Sequence, residues 1–236
     1  MGWKEYYQTY PESFCSRFSY GLFKRVLEKS SASPLSKKPS LKLLLGGFSP
    51  NSSTANTFVD YCAKFRPDQE DEIYLLDLNH QPFKSVYFSS QFAPKKIYQV
   101  QADLTKMPFA NNSLDLIFLD GTTMFMKDEE VGRFGQEANR TLSRFGLIVN
   151  FLKTPLFDQT APISNFRGRV ANRVPIFFRS KEKSQQLLSP LETVICFDCQ
   201  GRIALIMGKK DNPLPKDPEY TYVLEPACPK FSKEIS

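Results

Sequence analysis

IYQVQADLTKMPFANNSLDLIFLDG, residues 97–121, holds two strand-like runs, each closing on an aspartate, with a polar, turn-rich interval between them. The first run ends at Asp103 and the second at Asp120. Short apolar runs bounded by turn residues read as buried strands, the pattern of a parallel sheet covered by helices on both faces. Upstream, IYLLDL (residues 73–78) repeats the design and places Asp77 at its end. Further upstream, Leu41 to Leu45 make an apolar run that stops at Gly46-Gly47, and GGFSPNSS follows. Ala55, Phe58, Val59, Cys62 and Phe65 then recur at three- and four-residue intervals, with Ser52 or Ser53 as the cap. Strand, turn and amphipathic helix is the natural reading.

Downstream of Asp120 the periodicity predicts a helix with Val131, Phe134, Ala138, Leu142 and Phe145 on one face and Gly146 as its stop. LIVNFL (147–152) is a fifth strand, and TVICFD and RIALIMG flank residues 199–201 as an antiparallel hairpin. The first forty residues carry Phe18, Leu22 and Val26 at helical spacing and then pass into SSASPLSKKPS. The expected organisation is an N-terminal helical cap and linker over 1–40, one α/β domain over 41–210 and a C-terminal tail over 211–236. Strands that alternate with helices predict a doubly wound sheet whose ligand lies outside the strands' carboxyl ends.

Composition narrows the class. With 236 residues, 41% hydrophobic and 24% charged, the chain can bury one sizeable core. No stretch approaches the roughly 20 apolar residues of a membrane helix, and the opening MGWKEYYQTY lacks an apolar leader core. Tyr6 stands where an N-myristoylation signal has Ser or Thr. A cytoplasmic protein without a membrane partner is expected, and the oligomeric state is left open. The net charge of +6 comes from scattered basic residues rather than a nucleic-acid-binding arm. Five cysteines read as reduced thiols, and Cys196-x-x-Cys199 has no second ligand pair, since the one histidine is the distant His80. No metal is expected.

The candidate site residues follow from the strand ends. Gly46 and Gly47 allow backbone to approach a ligand closely. Asp77 is placed to accept hydrogen bonds from both ribose hydroxyls of an adenosine, with a turn cap as its alternative role. Gly47 to Asp77 is longer than the roughly 20-residue dinucleotide fingerprint, and the phosphate-loop signature is absent.

ADLTKMPFANNSLDLIFLDG resembles the third-to-fourth-strand stretch of small-molecule class I S-adenosylmethionine (SAM) methyltransferases of the type-11 kind. Asp103, Leu104, Pro108, Phe109, Ser113 and Asp115 stand in the matching places. EANRTLSRFGLIVNF is similar to the same family's helix-to-fifth-strand segment, with Glu137, Arg140, Leu142 and Gly146 in register. The resemblance covers roughly residues 41–152. It implies a Rossmann-like, mostly parallel seven-stranded sheet with a C-terminal antiparallel hairpin, and SAM as cofactor. The cofactor would meet Gly46, Gly47, Ser49, Asp77, Leu78, Asp103, Leu104 and Asp120. Asp120 is also the one candidate to act as base or to position the cofactor, with a turn cap as the alternative.

The first motif departs from the family. Leu45 occupies the acidic position and Ser49 a glycine position, which removes a partner for the cofactor's amino group and adds a Cβ near its methionine moiety. The chain reads first as a SAM-dependent methyltransferase of a small-molecule acceptor. The second reading is a catalytically inactive relative that serves as an interaction partner. The third, an RNA or DNA methyltransferase, rests on net charge and on Arg167, Arg169 and Arg173. Tyr6, Tyr7, Tyr10 and Phe14 are candidates for a lid over an apolar acceptor. His80 reads as a surface-loop residue rather than a general base.

Overall fold

The computed structural model describes residues 34–48, 53–86, 96–153, 177–199, 202–212 and 221–223. Along the chain these form β1 (Lys42–Gly46), α1 (Ser53–Phe65), β2 (Glu72–Asp77), β3 (Lys96–Gln101), β4 (Leu114–Asp120), α2 (Asp128–Thr141), β5 (Leu142–Lys153), α3 (Lys181–Leu187), β6 (Leu191–Cys199), β7 (Arg202–Lys209) and β8 (Thr221–Val223). The eight described strands belong to one sheet in the order β3-β2-β1-β4-β5-β7-β6-β8. The first five strands are parallel, and β7 runs antiparallel to both β5 and β6. The seven expected strands and the terminal hairpin are all present. The three-residue β8 pairs with β6 from within the segment set apart as a tail.

The leucine run of β1 is continuous because both of its faces are buried. Leu43 and Leu45 point into a core that includes Phe58, Val59 and Cys62 of α1. Leu44 points into a second core with Val131, Phe134 and Ala138 of α2. Each fully buried leucine contributes about 1.5–3 kcal/mol, so the two helices are held chiefly by this alternation.

Two buried carboxylates close the amino ends of the strands, away from the site. Asp71 accepts from Leu41 N at 2.8 Å and from Arg66 Nε. Asp115 accepts from Lys42 N at 3.1 Å, Ser143 Oγ at 2.7 Å and Lys38 Nζ at 2.6 Å, tying β1, β4 and β5 together. Lys38 lies in the stretch read as linker, and its neighbour Leu35 is buried in the core, so the end of that stretch is part of the fold. Asp115→Ala would strand the Lys42 N–H and the Ser143 hydroxyl. We expect a loss of about 2 kcal/mol, seen as a lower urea midpoint with an unchanged m-value.

One expectation is corrected. The helix predicted to run to Phe145 and stop at Gly146 ends at Thr141, and Leu142 already belongs to β5, opposite Leu114. The pairing then jumps from Leu114↔Leu142 to Leu116↔Leu147, so residues 143–146 bulge from the ladder. Gly146 sits at that bulge, where a Cβ would lie 2.9 Å from Leu114 O. Leu142 is fully buried, so its apolar character fits the sequence pattern while its backbone is extended.

Candidate functional site

Reversal of strand order between β1 and β4 opens a crevice at the carboxyl ends of the parallel strands, the usual ligand position in doubly wound sheets. A cavity of about 220 Å3 lies there. The ends of β1, β2, β3 and β4 all contribute to its wall, as do Thr54 of α1 and Glu130 of α2.

Gly47, the residue after β1, adopts φ 65°, the left-handed region that suits glycine. The Thr122 hydroxyl, just past β4, donates to Gly46 O at 2.8 Å and lies 3.0 Å from Gly47 O. Thr122 thereby binds the two turns that flank the crevice. Gly46 is not in the cavity wall. Its missing Cβ makes room for Leu104 and Leu119, at 2.7 and 2.8 Å from the position a Cβ would take, so its role is packing.

Asp77 is 5% exposed, yet it forms part of the cavity wall. Its Oδ2 accepts from Phe48 N at 3.2 Å and its Oδ1 from Asn79 N at 2.8 Å. The turn-cap role considered for this residue is therefore real, and it leaves lone pairs on both oxygens for a ligand. Burial pushes its carboxyl up to about 6, against the pull of the Asn79 and Phe48 amides toward the ionised form.

Leu78, 60% exposed, offers an apolar face beside Asp77. Past β3, Asp103 accepts from Thr105 N at 2.7 Å and Leu104 is buried beneath it. Asp120 reaches the cavity from the end of β4. The structure thus brings Gly47, Asp77, Leu78, Asp103, Leu104 and Asp120 around one space. Ser49 lies outside the described residues, as do Arg167, Arg169, Arg173 and the N-terminal aromatics. His80 is exposed and is not among the described lining residues.

The sequence reading missed several wall-builders. Phe125, Met126 and Glu130 complete the side nearest β4. Glu130 accepts from Lys127 N at 2.6 Å, fixing the first turn of α2. Arg179 supports this side from behind. Its guanidinium is buried and donates to Thr123 O at 2.8 Å, Met126 O at 2.5 Å and Asp128 Oδ1 at 2.8 Å. Nothing in the sequence around Arg179 marks it, because its partners are carbonyls more than fifty residues away. Arg179→Met should unfold about 2 kcal/mol more easily, since two carbonyls lose charge-assisted donors. Thermal denaturation checks this, and an unchanged midpoint would mean that water replaces the guanidinium.

Residues 56–150 match the family described as methyltransferase domain. The fold is that of a class I methyltransferase. The chain superposes on the PH0226 protein of Pyrococcus horikoshii OT3 with a TM-score of 0.63 and 15% identity, covering 89% of this chain and 100% of that one. A SAM-dependent methyltransferase from Clostridium acetobutylicum ATCC 824 gives 0.60 at 12% identity, covering 88% and 98%. Geranyl diphosphate C-methyltransferase from Streptomyces coelicolor A3(2), solved with Mg2+, geranyl diphosphate and S-adenosyl-L-homocysteine, gives 0.54 at 12%, covering 79% and 81%. No curated protein matches the chain. In this methyltransferase fold the matched segment carries β2, β3 and β4 and most of the cavity wall. No group of metal-ligating side chains occurs among the described residues.

Proposed function

We propose that the chain is a SAM-dependent methyltransferase acting on a small-molecule acceptor. The observation that carries this reading is Asp77, a nearly buried carboxylate with free lone pairs in the wall of a carboxyl-end cavity. Such a group suits a ribose diol, which donates two hydrogen bonds to one fixed acceptor. Asp103 and Leu104 stand where the adenine edge would lie, with Leu78 against the ring face. Asp120 and Thr122 line the part of the cavity nearest β4, where the methionine moiety and the acceptor would meet. SAM brings its own electrophile, a methyl group on a sulfonium, so the protein has chiefly to hold and align the two reactants. The family match and the folds of SAM-dependent enzymes support the same assignment.

The inactive-relative reading draws on one observation. Leu45, at the family's acidic position, is fully buried in the core, so that position supplies no carboxylate to the ligand. Calorimetric titration separates the readings from a third outcome. Saturable SAM binding at one site per chain, lost in Asp77→Ala, is expected, and methyl transfer to an acceptor library then distinguishes enzyme from silent binder. A chain that binds neither SAM nor S-adenosylhomocysteine (SAH) would sink the proposal.

A further inference from the structure

Between β4 and α2 the chain passes through a short 3-10 turn, Thr122–Phe125, capped by Met126. Thr122, Phe125 and Met126 line the cavity, whereas Met124 packs in the core and the Thr123 hydroxyl donates to Asn150 Oδ1 at 3.0 Å. A turn of this kind holds itself weakly. Here Met124 N–H reaches Gly121 O at 3.0 Å and Met126 N–H reaches Thr123 O at 3.3 Å. The carbonyls of Thr123, Met124 and Met126 are bound from after β5. Phe177 N donates to Met124 O at 2.7 Å. Arg179 Nη1 donates to Thr123 O at 2.8 Å and Nη2 to Met126 O at 2.5 Å, so one guanidinium braces both ends of the Met124-Phe125 step. Arg179 is itself fixed. It is 7% exposed, its Nε donates to Asp128 Oδ1 at 2.8 Å, and its guanidinium carbon lies 5.4 Å from the centre of the Phe177 ring. Buried carbonyls require donors, so the path of the turn depends on this later segment. The family match ends at residue 150, and the brace therefore comes from outside the matched segment.

Resting on the SAM reading of this cavity, we propose that Arg179 is a positioning residue for methyl transfer: through the carbonyls of Thr123 and Met126 it sets Phe125 and Met126 in the wall where the methionine moiety and the acceptor meet. Arg179 is not among the described lining residues and acts only through that wall. Methyl transfer breaks the methyl C–S bond, leaves that electron pair on sulfur and forms the new bond from an acceptor lone pair along the same line. The wall beside that line controls the alignment. The nucleoside end of the cavity is insulated from Arg179, because Asp77 and Asp103 are held by the amides of Phe48, Asn79 and Thr105. Lysine cannot take over the role. Its ammonium is a single point of charge, whereas the planar guanidinium reaches two carbonyls and a carboxylate at once.

The test is calorimetry on the full chain with three probes: SAM, SAH and methylthioadenosine, which keeps the nucleoside and its sulfur but lacks the amino-acid tail. Arg179→Lys should weaken SAM and SAH by roughly five- to tenfold, the worth of one hydrogen bond at the tail, and leave methylthioadenosine unchanged. Met126→Ala, which alters the wall and keeps the braced carbonyl, should give the same split, and it tests the proposal even if Arg179→Lys does not fold. Lys183→Ala removes the other cation on Asp128 without touching the turn, and all three affinities should stay as in the wild type. Equal weakening of the three probes by Arg179→Lys, in a protein that circular dichroism shows to be folded, means general loosening and overturns the proposal. No change in any probe with Arg179→Lys or with Met126→Ala overturns it as well, as does a split produced by Lys183→Ala. A wild-type chain that binds none of the three overturns the SAM reading itself.

Discussion

Asp77→Asn should lose most of its affinity for SAM, by roughly a hundredfold, while the ligand-free protein above pH 6 becomes no less stable than the wild type. The affinity loss follows from exchanging an ionised acceptor for a neutral amide. Hydrogen bonds to a charged group are worth about 1.5–3 kcal/mol each, and a ribose diol makes two. The stability effect has the opposite sign because the carboxylate is 5% exposed and faces two amides but no cation. Its folded pKa of about 6 lies above the ordinary 3.8. A raised carboxyl contributes stability below pH 4 that is lost as pH rises through 6. At neutral pH the ionised form costs of order 3 kcal/mol relative to the protonated one. The amide removes that cost but gives up about 1 kcal/mol, because only one of the two backbone donors keeps an acceptor.

Denaturation across pH 4 to 8 reads this directly. The stability of Asp77→Asn relative to the wild type should rise through pH 4–6 and then level off. SAM affinity of the wild type should also rise with pH through about 6, because the diol needs the ionised form. A pH-independent difference between the two proteins would mean that Asp77 titrates at its ordinary value. The cavity would then be wetter than the geometry implies.

Strands β1, β2, β4 and β5 were legible because burial makes them near-continuous apolar runs, each stopping where the backbone meets the crevice; β3, read as another buried strand, is instead a largely exposed edge strand. Asp77, Asp103 and Asp120 stood out because a carboxylate closing an apolar run has little purpose in the core. The end of α2 was not legible. Leu142 faces the core whether the backbone is helical or extended, so periodicity could not register the change. Gly46 and Gly47 look alike in sequence but differ in space. One makes room for Leu104 and Leu119, and the other adopts φ 65° beside Thr122. The supports of the site, Thr122 and Arg179, act by hydrogen bonds to main-chain carbonyls distant in sequence. Carbonyls carry no residue identity, so no motif could report them. Glu130 reads as an ordinary helix-start acid, and only the path of the chain brings it to the cavity.

Gly47→Ala should be the most destabilising single-methyl substitution around the cavity, at roughly 3–4 kcal/mol, summed from two sources that a second substitution separates. The first is backbone strain, since a non-glycine residue at φ 65° costs about 1 kcal/mol. The second is steric: the new Cβ would fall on the Thr122 γ-methyl and 2.8 Å from its hydroxyl oxygen. Thr122 is β-branched, with few alternative rotamers, and its hydroxyl is engaged at Gly46 O. Moving it aside sacrifices that hydrogen bond and disturbs the turn after β4. Thr122→Ala alone should cost about 1 kcal/mol for the lost bond. In the Thr122→Ala background, Gly47→Ala should then cost only about 1–2 kcal/mol, giving a coupling of about 2 kcal/mol in the double-mutant cycle. Equal costs in both backgrounds would place the penalty wholly in the backbone. A large coupling would identify the Gly47–Thr122 contact as the clasp between β1 and β4, and SAM affinity should follow the same ranking because both turns line its cavity.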